Sequence, residues 1–110
     1  MAGLELVKGT LDVLILKTLS WGPLHGYAVS RWIRQQTEGV LEVEDAALYQ
    51  ALHRLERRKL IEAEWGVSEN NRRAKYYQLT ASGRKQLRQE SATWRTYAQA
   101  VFQVLDAQRA

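Results

Sequence analysis

The chain has 110 residues, of which 45% are hydrophobic and 25% charged, a composition typical of one folded domain and not of a disordered chain. It contains no cysteine, which excludes disulfides and thiolate metal sites and suits a reducing cytoplasm. The formal net charge is +4, which permits a nucleic-acid partner but also fits many proteins without one. Residues 46–85 carry nine Lys or Arg against four Asp or Glu, so the positive charge is concentrated in this middle segment.

The longest apolar run, Val13 to Leu16, is far shorter than the roughly 20 residues of a membrane span. No basic, apolar and small-residue series typical of a signal peptide opens the chain. We therefore expect a cytoplasmic protein with no membrane partner.

The first part of the chain predicts two helices joined by a tight turn. Apolar residues recur at helical spacing after Thr10, whose hydroxyl is a candidate N-cap, and predict a helix over residues 10–20. Gly22-Pro23 ends that helix, and a second helix is predicted from Gly26 to just before Gly39. Together they predict a helix-turn-helix pair.

A third helix is predicted from Asp45, as the N-cap, to Lys59 or Leu60. One apolar stripe defines its buried face and consists of Leu48, Ala51, Leu52 and Leu55.

Strand character follows at Ile61 to Val67 and at Lys75 to Leu79, and the polar stretch 68–73 between them predicts a hairpin. Thr80 then begins a last helix, with Gly83 in its first turn, that continues nearly to the end of the chain.

This order of elements predicts a mainly α fold with a small β-hairpin, namely a winged helix-turn-helix followed by a long dimerisation helix. We expect the DNA-binding domain to span residues 1–80 and the dimerisation helix to span residues 81–110.

The predicted third helix and hairpin carry the side chains that DNA recognition uses. Gln pairs with adenine, Arg with guanine or phosphate, and Tyr or His with phosphate or a base edge. A solvated helix face has a similar composition, and the coincidence of a basic helix with a basic hairpin favours the DNA interpretation. The candidate DNA-binding residues are Tyr49, Gln50, His53, Arg54 and Arg57 on the helix, and Arg72, Arg73, Lys75 and Tyr76 on the hairpin.

No pattern in the chain predicts catalysis or a metal site. His25 and His53 have no cysteine or carboxylate at metal-ligand spacing. Glu42, Glu44 and Asp45 form an acidic cluster, but their position before the third helix suits its dipole. We expect no enzymatic activity, no catalytic residue, no cofactor and no metal.

The last helix carries an apolar stripe that is too long for an 80-residue domain to cover, which predicts a homodimer. Trp94 is also a candidate wall for an apolar ligand near the dimer axis, although a Trp on such a stripe is more often simply packed in a core. In the alternative, the whole helix packs on its own domain. The candidate interface residues are Leu87, Trp94, Tyr97, Ala98, Val101, Val104 and Leu105.

The chain resembles the PadR family of bacterial transcriptional regulators over residues 10 to 90. The motifs that carry the resemblance are Gly22-Pro23-Leu24-His25-Gly26-Tyr27, Leu48-Tyr49, Ala51 to Glu56, Arg73 to Thr80, and Gly83. The single final helix is similar to the smaller subfamily, whose members end in one long dimerising helix. The resemblance implies a regulator that is usually a repressor and that often responds to a small aromatic or drug-like ligand.

Elementary chemistry accounts for parts of this motif. Gly22 and Gly26 suit a tight turn, Pro23 cannot continue a helix, and His25 is then a structural residue. The chain departs from the family at Ala47 and Gln50, where a hydroxyl residue and proline are common, and at Lys59, where glycine is usual. A side chain at Gln50 can reach a base edge that proline cannot.

Two other functions remain compatible with the sequence. One is a winged-helix module that binds protein and not DNA, because a fold does not determine a function. The other is a ligand-binding dimer with vestigial DNA contacts. Loss of binding to duplex DNA at low salt, with intact folding, would favour the protein-binding module, whereas the sequence does not distinguish the ligand-binding dimer from a regulator.

Overall fold

A computed structural model describes residues 9–109. The first eight residues of the predicted DNA-binding domain and residue 110 of the predicted dimerisation helix lie outside this range. The described elements are α1 (Thr10–Thr18), a short 3-10 turn (Leu19–Trp21), β1 (Leu24–His25), α2 (Gly26–Gln36), α3 (Asp45–Arg57), β2 (Ile61–Val67), β3 (Arg73–Leu79) and α4 (Ala81–Leu105). The strands form one antiparallel sheet in the order β1-β3-β2. This arrangement confirms the predicted winged helix-turn-helix with a long final helix.

Several predicted boundaries agree with the structure. α2 begins at Gly26, β2 has the predicted bounds, and Thr80 caps α4 by accepting a hydrogen bond from the Gly83 amide at 3.0 Å. β3 begins two residues earlier than predicted, at Arg73, and so the hairpin loop is shorter.

The two caps predicted at Thr10 and Asp45 are wrong. Gly9 and Glu44 occupy the N-cap positions, and neither helix has a side-chain cap. Thr10 is instead the first residue of α1 and is buried, while Asp45 is the first residue of α3. Its carboxylate still lies in the first turn, where negative charge stabilises the helix dipole.

Strand β1 was not predicted, because two residues carry no periodicity. It forms by pairing with β3, in the register Leu24 with Tyr77 and His25 with Tyr76. This pairing attaches the turn before α2 to the hairpin, so the helix-turn-helix and the wing share one sheet.

The core lies between the helices and one face of the sheet. The predicted α3 stripe is its centre, since Leu48, Ala51, Leu52 and Leu55 have at most 1% of their surface exposed. Residues from α1, α2, β2 and β3 complete the cluster, including Ile15, Leu16, Val29, Ile33, Ile61, Tyr77 and Leu79.

The chain leaves α3 through a left-handed residue. Lys59 has φ 61°, a conformation that favours glycine. This accounts for the glycine that is usual at that position in the family that the chain resembles. The next amide, of Leu60, closes the helix end by donating to the carbonyl of Leu55 at 3.1 Å. A lysine there strains the backbone without changing the fold.

Helix α4 begins against this same turn. The Thr80 hydroxyl donates to the carbonyl of Lys59 at 2.7 Å, and a Cβ added at Gly83 would lie 2.0 Å from the carbonyl oxygen of Leu60. Only glycine therefore fits at position 83. Among the described residues, no helix combines the length and hydropathy that a bilayer span requires.

We predict that Gly83→Ala destabilises the protein by about 3 kcal/mol, because the added methyl group must displace a backbone carbonyl. Ser82→Ala is the matched control, since Ser82 is exposed in the same turn and its loss should change stability by no more than about 0.5 kcal/mol. Urea unfolding followed by circular dichroism, at one protein concentration, measures both. Equal stabilities for the two variants would show that this turn is not a close contact.

Candidate nucleic-acid interface

The outward face of α3 carries one strip of exposed side chains. Gln50, His53 and Arg57 recur at three- and four-residue spacing, which places them along one line opposite the buried stripe. Ala46 continues the strip at the helix N-terminus and adds no bulk. The strip is as wide as a single helix face and therefore has a shape that fits a major groove.

One flank of α3 is tied to α1 by an ion pair. The Arg54 guanidinium donates to both carboxylate oxygens of Asp12, with the longer contact, from Nε to Oδ2, at 3.4 Å. This hydrogen bond raises the pKa of Arg54 above its usual value. Arg54, predicted to contact DNA, is thus partnered within the chain, and Asp12 was not predicted at all.

The other flank of α3 is tied to the wing, the hairpin formed by β2 and β3. Lys75 Nζ lies 3.4 Å from a carboxylate oxygen of Glu56 and 5.5 Å from the ring centroid of Tyr77. Burial raises the pKa of the Tyr77 hydroxyl, and the Lys75 cation acts in the opposite direction. Lys75 therefore joins wing to helix, which leaves less of its charge available to a phosphate.

Strand alternation divides the predicted wing residues between two faces. Arg73 and Lys75 pair with Val67 and Trp65, so these four side chains share the face that continues from the core. The Arg73 guanidinium lies 4.3 Å from the centroid of the Trp65 ring, which is 57% exposed. This stack fixes a cation on a wide aromatic surface.

Tyr76 lies on the opposite face of the wing from Arg73 and Lys75. Its hydroxyl donates to the carbonyl of Val67 at 3.1 Å, and its ring meets the edge of His25 at a centroid distance of 5.6 Å. Tyr76 thus connects β3 to the turn before α2. The prediction grouped it with the basic wing residues, but it does not share their face.

His25 has the structural position that the sequence indicated. Its Nδ1 accepts a hydrogen bond from the Ala28 amide at 3.1 Å and so caps α2. Gly26, however, is needed for a close approach and not for a turn, since an added Cβ would lie 3.0 Å from the hydroxyl of Tyr49. The start of α2 therefore sits directly against α3.

An open cleft of about 550 Å³ lies between the wing, α2 and α3. Its walls combine aromatic rings with cations, namely Tyr27, Tyr49, Trp65, Arg73 and Lys75. Tyr27 and Tyr49 are both more than half exposed, so each can donate a hydroxyl hydrogen bond into the cleft. At the hairpin tip Arg72 is exposed, beyond the turn that the Ser68 hydroxyl closes by accepting from the Arg72 amide at 3.3 Å.

Trp65 and Tyr27 are functional candidates that sequence reasoning missed. Trp65 was predictable from strand alternation. Ile61 and Ala63 face inward, so Trp65, two residues further along β2, must lie on the same face. Tyr27 lies in the family-like motif, but no role of its own was predicted for it from the sequence, and the structure leaves it 63% exposed.

A second surface lies along α4. Leu87 is half-buried and packs against the core of its own chain. Trp94 and Ala98 are half-buried, whereas Tyr97, Val101, Val104 and Leu105 are exposed, as is Phe102, which was not predicted. The stripe is therefore continuous, with its first part covered and its second part bare among the described residues.

A groove of about 530 Å³ separates α4 from the start of α1. Its floor is apolar at Val13, Trp94 and Tyr97, and Gln86, Gln89 and Glu90 supply polar groups along its edge. The Trp94 and Tyr97 rings meet edge to face, with centroids 5.9 Å apart. The groove has the mixed lining typical of a site for a small aromatic molecule.

Within residues 9–109, no group of three or more His, Asp or Glu side chains is close enough to hold a metal ion. The acidic residues Glu42, Glu44 and Asp45 line one pocket together with Arg31 and Arg34 of α2.

Comparison with known proteins gives one family and many structures of the same fold. The family described as "Transcriptional regulator PadR-like family" matches residues 15–89. A transcriptional regulator from Clostridium thermocellum is 30% identical, with 87% of this chain and 90% of that chain covered and a TM-score of 0.79. A PadR family transcription regulator from Clostridium difficile is 29% identical, with 88% and 99% covered and a TM-score of 0.76.

A third structure adds a bound partner. Bacillus subtilis PadR, solved in complex with operator DNA, is 23% identical, with 76% of this chain and 47% of that chain covered and a TM-score of 0.66. At that identity the likeness establishes the fold alone.

Proposed function

The chain belongs to the PadR-like family of transcriptional regulators, and from that premise we propose that it binds operator DNA as a homodimer and represses transcription. The observation that carries the proposal is the exposed strip of Gln50, His53 and Arg57 on a helix whose opposite face is fully buried. A related winged-helix protein of Bacillus subtilis has been solved with operator DNA.

In the proposed complex, α3 lies in the major groove and the strip reads base edges. Gln50 offers an amide that can pair bidentately with adenine, and Arg57 a guanidinium that can pair with guanine. His53 lies between them and reaches a base edge or the adjacent phosphate.

The cleft between α3 and the wing receives the DNA backbone in this proposal. Tyr27 and Tyr49 donate to phosphate oxygens, and Arg73, held on the Trp65 ring, supplies charge at a fixed position. Arg72 at the hairpin tip extends these contacts along the backbone. Tyr76 and Lys75, with partners inside the chain, orient the wing and contribute to binding through it.

We predict that helix and wing substitutions have different effects on binding. Gln50→Ala or Arg57→Ala should lower affinity for the cognate operator by about 1–3 kcal/mol and affect random DNA less, because base contacts carry the sequence preference. Arg72→Ala or Arg73→Ala should weaken binding to both duplexes and reduce the salt slope by about 1, because phosphate contacts are sequence-independent. A salt titration on cognate and scrambled duplexes measures both effects.

Arg95→Ala on α4 is the matched control, since it removes an exposed arginine outside the proposed interface. If the Arg72 and Arg73 variants bind DNA as this control does, the wing does not contact DNA. A folded wild-type protein that fails to bind any duplex at low salt would favour the alternative function, a module that binds protein.

The dimer is proposed from the bare part of the α4 stripe. Val101, Val104 and Leu105 are large apolar residues exposed within two turns, together with Tyr97 and Phe102, and such patches mark interfaces. A second copy of α4 covers them and sets two copies of α3 side by side. A dimer bound to an operator represses transcription by occupying DNA that other proteins need. A protein that acts on chromosomal DNA is expected in the cytoplasm.

We predict that Val101→Glu combined with Leu105→Glu converts the dimer to a monomer, because two carboxylates would be buried without partners. Gln99→Glu is the control on the opposite side of α4 and should leave the dimer intact. Sedimentation at micromolar concentration distinguishes the species. A wild-type monomer under these conditions would reject the dimer.

We propose that the groove between α1 and α4 binds a small planar aromatic effector, with Trp94 as the stacking surface. The groove lies beside the apolar stripe of α4 that is proposed as the dimer interface, so a bound molecule can change the relative orientation of the two copies.

We predict that Trp94→Ala weakens binding of a fluorescent planar probe, anilinonaphthalene sulfonate, by at least about tenfold, because stacking on a large ring contributes about 1.5 kcal/mol. Trp21→Ala, which removes an exposed Trp near the turn before α2, is the control. If Trp94→Ala abolishes dimerisation but leaves probe binding unchanged, Trp94 is an interface residue and not a ligand site.

A further inference from the structure

We propose that Asp12 is a positioning residue that withholds the charge of Arg54 from DNA and thereby limits sequence-independent binding. The inference rests on the proposed function, since it concerns the same interface. It assigns roles to one residue that the sequence did not single out and to another that the sequence placed in direct contact with DNA.

The geometry places Arg54 beside the reading strip and not on it. Arg54 lies about 60° around the helix axis from Arg57, at roughly 100° per residue. From that flank an unconstrained arginine reaches the phosphates that border the major groove. The 47% exposure of its side chain shows that the guanidinium is at the surface and not in the core.

Asp12 prevents this reach by holding one edge of the guanidinium, the edge formed by Nε and Nη2. Nε and Nη2 of Arg54 donate to the two carboxylate oxygens, which forms a bidentate pair. Asp12 itself is only 15% exposed and lies in the first turn of α1, where the helix dipole favours its negative charge. The carboxylate is therefore the fixed partner, and Arg54 is the group whose position it sets.

The pair presents no net charge to DNA. Each phosphate neutralised by a free cation contributes about 0.9 to the slope of log affinity against log salt. Arg57 and Arg72 make no ion pair within residues 9–109 and keep their full charge for DNA, whereas the charge of Arg54 is compensated. A basic interface thus gives up one phosphate contact.

The experiment is a salt titration of the full-length protein on a random-sequence duplex. Asp12→Asn should bind several-fold more tightly than wild type and with a slope steeper by about 0.9, because Arg54 is released to a phosphate. In the double variant Asp12→Asn with Arg54→Gln, affinity and slope should return to the wild-type values. A merely structural role for Asp12 would not steepen the slope.

Glu62→Gln is the matched control for net charge. Glu62 is exposed on β2, where it accepts a hydrogen bond from Gln78. It pairs with no cation in the described chain, so neutralising it frees no arginine or lysine to bind DNA. Circular dichroism confirms folding of each variant. If Asp12→Asn alone is unstable, the double variant, which removes both charges of the pair, tests the same point, and its slope should equal that of wild type.

Two results would overturn the inference. One is an unchanged slope for Asp12→Asn, and the other is a slope flatter than wild type by about 0.9 for the double variant, which would show that Arg54 contacts phosphate in the wild type. A wild-type protein without salt-dependent DNA binding would instead contradict the proposed function. The two failures are therefore distinguishable.

Discussion

Burial of one apolar stripe fixes how α3 can be used. Leu48, Ala51, Leu52 and Leu55 are the centre of the core, and at most 1% of their surface is exposed. Because side chains repeat every 3.6 residues, burying these four determines which others point to solvent. The strip of Gln50, His53 and Arg57 follows from that choice. Rotating α3 to present other residues would expose the three leucine side chains of this stripe, at about 1.5–3 kcal/mol each.

Two ion pairs, one on each flank of α3, then connect this helix to α1 and to the wing. Arg54 is tied to α1 through Asp12, and Glu56 is tied to the wing through Lys75. Exposed ion pairs contribute little to stability, typically less than about 1 kcal/mol each, so their effect here is on orientation and on charge. α1 also packs against α4 and lines its groove. One helix thus contacts both the reading element and the surface proposed for dimer and effector, which gives an effector a physical route to α3.

The sequence predicted the fold well because its elements depend on local signals. The α3 stripe, the two hairpin strands and the Thr80 cap are all readable from periodicity and residue type. The caps at Thr10 and Asp45 were each misplaced by one residue, because residue type alone does not show whether a polar residue precedes a helix or begins it. β1 and the pairing of Asp12 with Arg54 depend on contacts between distant parts of the chain, and no local pattern encodes them. The two faces of the wing were predictable from alternation, which separates Tyr76 from its basic neighbours.

The most direct test of this account is selection of DNA by the full-length protein from a random duplex library. A dimer that presents two copies of α3 should enrich an inverted repeat, with half-site centres one helical turn, about 10 base pairs, or a multiple of it apart. Enrichment of a single asymmetric site would contradict the paired arrangement of α3. No enrichment over the starting library, by a protein that is folded and binds duplex DNA, would contradict the claim that α3 reads sequence.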